Sequence, residues 1–175
     1  ALRGQKASPV AECCLAKSSL IFHPFLMEIF TSKQLTPGQK LARGAARHLT
    51  SLGYASIEEF VPSRGLRVDI MALGPKGELW IVECKSSRED FTGDDKWHNY
   101  LQWCDRYFWA VDADFPTDLL PAEHGLIIAD AYDGEIIRNA PLAPLAAARR
   151  KALLQKFAFH AARRLQRWRD PEFYL

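Results

Sequence analysis

The stretch that most restricts this chain is "LRVDIMALGPKGELWIVECKSS", residues 66 to 87. It reads as two apolar strands joined by the tight turn "GPKG", yet Asp69, Glu83 and Lys85 stand inside them. Side chains alternate across a strand, so Arg67, Asp69 and Met71 share one face. Glu83 and Lys85 share a face of the next strand, and Cys84 points the other way. Pairing about the centre of the turn, between Pro75 and Lys76, sets position 69 near position 82. Asp69 and Glu83 then converge where register or a bulge allows. Two carboxylates so close repel, and both stay ionised only with a cation between them. Hard oxygen ligands with open positions suit Mg²⁺ or Mn²⁺. Lys85, one strand step beyond Glu83, could then orient a water or stabilise charge developing on a phosphorane. The blander alternative is a pair of strand ends whose charges reach solvent, and Lys85 is expected to reach solvent in either case.

The surrounding pattern decides between these. Thr36 and Pro37 read as N-cap and first residue of a helix in which Leu41, Ala45, Leu49 and Leu52 recur at helical spacing, with Gly53 as its stop. Strands follow at "SIEEFVP", "LRVDIMAL" and "ELWIVECK". The polar loop "SSREDFTGDD" leads to a predicted helix near "KWHNYLQWCDRY", with Trp97, Tyr100, Trp103 and Cys104 along one apolar stripe. "YFWAVD", "GLIIAD" and "EIIRNA" read as further strands, and a helix from about Pro144 to Arg169 closes the chain. This order predicts an α/β domain on a mixed sheet, residues 36–175. Residues 1–35 lack clean periodicity and read as a leader or arm. A second acid–x–lysine triplet, Asp94-Asp95-Lys96, falls in the polar loop and reads as an unremarkable decoy.

At 175 residues the length fits one domain with a full core. Net charge is only +2, but eight of the 23 Lys and Arg lie between Arg149 and Arg169 with no acid among them. The rest holds 15 basic against 21 acidic residues. A basic C-terminal helix on an acidic body suggests a polyanion partner, with a solvated helix face as the alternative. Leu153, Leu154, Phe157, Ala161, Leu165 and Trp168 form its apolar stripe, and Arg149, Arg150, Lys156, Arg163, Arg164 and Arg167 fall largely outside it. Four cysteines without a CxxC pair argue against a zinc site. The apolar run "SLIFHPFLMEIF" is too short and interrupted to span a membrane. A soluble cytoplasmic protein is the expectation.

"RVDIMAL", "WIVECKSS", "DDKWHNYLQWCDRYFWAV" and "GLIIADAYDGEIIR" resemble the MmcB-like family of bacterial DNA-repair proteins. More broadly the pattern resembles the PD-(D/E)XK nuclease superfamily, over roughly residues 38 to 165. The resemblance implies a restriction-endonuclease-like αβββαβ core whose signature acid is Asp69 and whose ExK is Glu83 and Lys85. It also implies the Cys84 backbone carbonyl as a metal ligand and DNA near the bacterial nucleoid as partner, with other repair proteins. Many superfamily members add an acid from the first helix, but residues 37–52 contain none. The resemblance puts Glu59 in its place, with Glu58 as the alternative if the register differs by one. It implies roles for Lys96 and Tyr100 as well; by residue type Lys96 could meet phosphate and Tyr100 reads as core. Arg67, Lys96, Arg149, Arg150, Arg163, Arg164 and Arg167 are the candidate DNA contacts.

Two functions follow. One is a DNA-repair endonuclease using Mg²⁺ or Mn²⁺; the other is an inactive DNA-binding or scaffold protein that keeps the nuclease fold. The intact Asp69, Glu83 and Lys85 favour the first, and the acid missing from the first helix favours the second. A nucleotide-binding α/β protein would need a Gly-rich phosphate loop, which is absent.

Overall fold

The computed structural model describes residues 34–94 and 96–174; the expected N-terminal arm lies almost wholly outside them. Helix α1, Pro37–Ser51, begins in a capping box: the Gln39 amide donates to Thr36 Oγ1 (3.3 Å), and the Thr36 amide to Gln39 Oε1 (3.0 Å). Its buried face, Leu41, Ala42, Ala45 and Leu49, packs on Ile70, Val82, Phe108 and Ile127 of the sheet. Gly44 is required there, because any Cβ would collide with the carbonyl oxygens of Asp130 and Asp133.

Six strands form one mixed sheet in sequence order: β1 (Ala55–Phe60), β2 (Val68–Leu73), β3 (Leu79–Cys84), β4 (Arg106–Val111), β5 (Gly125–Ala129) and β6 (Gly134–Arg138). The β3–β4 and β4–β5 pairs are parallel, and the others are antiparallel. Central β3 is buried along its whole length, as expected for a strand covered on both faces. On the face away from α1, Ile57, Met71, Ile81, Trp109 and Val111 pack with Leu153 and Phe157 of the last helix, α3 (Ala147–Arg169). Each large apolar side chain removed from water contributes roughly 1.5–3 kcal/mol. The result is the α/β architecture that the sequence predicts, a mixed sheet flanked by helices.

The local departures have local causes. "KWHNYLQWCDRY" forms two 3-10 turns, Trp97–Asn99 and Leu101–Trp103, rather than an α-helix. Tryptophan, tyrosine, histidine and asparagine are weak helix formers, and the tighter winding brings positions three apart onto one side. Trp97 and Tyr100 are thereby buried together. Part of the predicted polar loop instead forms the short helix α2, Arg88–Thr92, capped by the Ser87 hydroxyl on the Asp90 amide (3.2 Å). Helix α3 starts at Ala147 and not Pro144, because the Leu145 amide is held by Asp105 Oδ1 (2.9 Å). Of its predicted apolar stripe only Leu153 and Phe157 are buried; Leu165 and Trp168 are exposed.

The turn between β2 and β3 sets the register. Gly77 adopts φ 81° and the Gly74 amide donates to the Glu78 carbonyl (2.8 Å), a three-residue loop closed by a left-handed glycine. Its centre is Lys76, so Ile70 pairs with Val82, and position 69 faces 83 rather than the expected 82.

Candidate active site

Where β2 and β3 pass Ile70 and Val82, side chains take over from the backbone ladder. The Asp69 amide donates to Glu83 Oε1 (3.0 Å), and the Cys84 amide donates to Asp69 Oδ2 (2.8 Å). Each carboxylate is fixed by the opposite strand and keeps one oxygen outside this exchange. Glu59 occupies the same row on β1, between the pairs Glu58–Ile70 and Phe60–Val68. Its φ of 57° is left-handed, a conformation that costs a non-glycine residue of order 1 kcal/mol. Its carboxylate turns to the rim, where Oε2 meets Arg67 at 2.8 Å.

The pair carries stored electrostatic cost. Burial raises the Glu83 pKa well above the usual carboxylate range, and the neighbouring Asp69 adds to it. Burial also raises Asp69, against the lowering effect of the Cys84 amide and Lys85. Lys85 is itself only 4% exposed, so the expectation that it reaches solvent is corrected. Its Nζ lies 2.5 Å from Asp94 Oδ2. Burial works against the ammonium, but the hydrogen bond and charge of Asp94 outweigh it and its pKa rises. Asp94, read from sequence as an unremarkable loop residue, is thus the partner of Lys85. Its other oxygen accepts from the Lys96 amide (2.9 Å), and Asp90 ties down the chain after Lys85 by accepting from the Ser86 amide (3.0 Å). A capped helical turn shortly after a strand-end lysine was the available signal, but only the fold closes that loop.

These groups open on one cavity of about 570 Å³, walled by Asp69, Glu83, Cys84, Lys85 and Asp94, with Lys96 and Tyr100 also lining it. Tyr100 is buried, and burial with the nearby Glu83 pushes its hydroxyl to about 12. Glu58 and Glu59 both reach the same cavity. Helix α1 and its cap contribute Thr36, Gly38 and Gln39 to the wall and no acid. Among the described residues, no three His, Cys, Asp or Glu side chains form a group that could hold a metal ion. The Asp69–Glu83 pair, buried at Glu83 and half-buried at Asp69, nonetheless fits a divalent cation that keeps most of its waters, since Mg²⁺ is commonly held through one or two carboxylates, and positive charge would relieve their mutual repulsion.

With this geometry established, comparisons with known proteins give the chain its place. The family model described as DNA repair protein MmcB-like matches residues 29–172. The chain belongs to that family. A solved structure of a protein of unknown function from Silicibacter pomeroyi is 70% identical, with a TM-score of 0.78, over 79% of this chain and 95% of that one. No curated protein matches the chain.

In this MmcB-like protein the predicted DNA contacts separate into groups. Arg67 and Lys96 line the cavity. Arg163, Arg164 and Arg167 line a second cavity of about 440 Å³ on α3, and Arg164 also donates to the Glu58 carbonyl (2.5 Å). Arg149 donates to the Gln102 carbonyl (2.7 Å) and lies over the Trp103 ring at 5.0 Å. Arg150 is instead engaged within the fold. Its guanidinium grips both oxygens of Asp105 (2.7 and 2.6 Å), which is 1% exposed and also accepts from the Leu79 amide (2.7 Å). A fork on a buried carboxylate has little left to offer a phosphate. Among the described residues no helix is long and apolar enough to cross a membrane.

Proposed function

We propose that this MmcB-like protein is a metal-dependent nuclease of the PD-(D/E)XK type that hydrolyses DNA phosphodiester bonds during repair. One observation carries the reading: two carboxylates fixed by each other's strands open on the same polar cavity as a buried ammonium. Such a combination raises folding cost without packing benefit, and perturbed carboxylates in a cleft are the usual mark of chemistry.

Asp69, Glu83 and the Cys84 carbonyl are assigned to hold Mg²⁺ or Mn²⁺, with Glu59 as the further acid. When bound, the ion supplies an acidified water and charge neutralisation at phosphate. Lys85, held by Asp94, donates to a phosphate oxygen as negative charge gathers there. Arg67 and Lys96 bind flanking phosphates and fix the scissile bond relative to Lys85. One water is consumed, one P–O bond breaks, and the products are a phosphate monoester and a hydroxyl.

A second reading, a DNA-binding scaffold without turnover, draws on the ion pairs. Among the described residues, Lys85 is paired with Asp94 and with neither member of the carboxylate pair. Incubating the protein with labelled single-stranded, duplex and branched DNA in Mg²⁺, Mn²⁺ or EDTA separates the two. The nuclease cuts at least one of these with metal and none in EDTA; binding without any cleavage establishes the scaffold.

A further inference from the structure

Helix α3 continues beyond its last buried residue, Phe157, with two large aromatic side chains left in water: Phe159 is 68% exposed and Trp168 is 81% exposed. Phe159 lines the 440 Å³ cavity together with Lys156, His160, Arg163, Arg164 and Arg167. Lys156, His160, Arg163 and Arg167 follow the spacing of one helix face beside Phe159, whereas Trp168, nine residues from Phe159, stands on the opposite side of the helix. No acid occurs within α3, so the face complements a polyanion rather than a mixed protein surface. Duplex DNA satisfies the cations but keeps its bases stacked inside, leaving the Phe159 ring without a partner. A single strand offers phosphates and free base faces together.

This face also meets the candidate active site. Arg164, in the wall of the second cavity, holds the Glu58 carbonyl at 2.5 Å, and Glu58 lines the first cavity. The His160 ring lies 5.6 Å from that of Phe60, at the end of the same strand.

We propose that the basic face of α3 is a binding site for single-stranded DNA, stacking a base on Phe159 and leading the strand over β1 to the carboxylate pair. The inference rests on the reading of the protein as one that acts on DNA, and names the form of DNA. It is tested by fluorescence anisotropy in EDTA, using labelled oligothymidine and a blunt duplex of equal length. The wild type binds oligothymidine more tightly. Phe159→Ala weakens that binding by about ten-fold while duplex binding is unchanged, Trp168→Ala on the opposite side of the helix binds as the wild type does, and Arg163→Glu weakens binding of both DNAs. Both aromatic positions are exposed, so the variants retain the wild-type circular dichroism spectrum. Equal affinity for duplex, an unchanged oligothymidine affinity in Phe159→Ala, or tighter binding of oligouridine overturns the proposal. Cleavage plays no part in the measurement. A protein that binds through the Phe159 ring and cuts nothing loses the nuclease assignment and keeps this one.

Discussion

Asp69 and Glu83 each accept a hydrogen bond from the main chain of the other's strand, at 2.8 and 3.0 Å. The exchange makes the site a structural joint as well as a place for chemistry. Neither carboxylate can leave without freeing a backbone amide at the end of the β2–β3 ladder.

The joint has a pH signature. Glu83 has its pKa raised by burial and by Asp69, so its contribution is favourable while it is protonated. That contribution is complete below the ordinary glutamate value and is lost as pH rises through the elevated folded value. Without metal, Glu83→Gln becomes increasingly stable relative to wild type as pH rises from about 4.5. Adding Mg²⁺ stabilises the wild type near neutral pH and does little for the variant. Thermal melts across pH, with and without Mg²⁺, check this; a difference between the proteins that stays constant with pH refutes it.

Lys85→Met tests the ammonium, at a cost to folding that its burial imposes. Removing it leaves Asp94 half-enclosed without its cation, a loss of about 2 kcal/mol, and Lys85→Met/Asp94→Asn recovers part of it. Cleavage falls about 10²–10³-fold in Lys85→Met, the scale seen when one charge-stabilising donor is removed, with DNA affinity little changed. Urea melts give the coupling through a double-mutant cycle. Cleavage at the wild-type rate in the single variant removes Lys85 from the mechanism.

Arg150→Met should behave as a folding variant. It strips the cation from Asp105, whose carboxylate is fully buried against the start of β3, and costs about 3 kcal/mol. DNA affinity, measured well below the lowered melting temperature, stays at the wild-type value. A selective loss of affinity in a fully stable variant would return Arg150 to the DNA contacts.

Reversing Arg163, Arg164 and Arg167 to Glu should weaken binding to all sequences alike and flatten the dependence of log K on log salt. Every phosphate that the helix no longer neutralises takes roughly 0.7–0.9 off the slope. Anisotropy titrations over a range of salt concentrations provide the measurement, and an unchanged slope marks the helix as a solvated face.

Much of this protein is written in its local pattern. Thr36, Pro37 and the spacing of Leu41, Ala45 and Leu49 determine the first helix, because capping and amphipathic period act over a few residues. Alternation within "RVDIMAL" and "WIVECK" places Asp69, Glu83 and Lys85 on strands, since the side-chain period of a strand is two. What remained needed the tertiary structure. The left-handed Gly77 shifts the register by one and puts Asp69 opposite Glu83. The fold of residues 86–94 carries Asp94 to Lys85, and the docking of α3 carries Arg150 to Asp105 across 45 residues. A charge run looks the same in sequence whether its members meet phosphate, water or a buried carboxylate. Burial decides among them, and burial depends on which distant segments pack together.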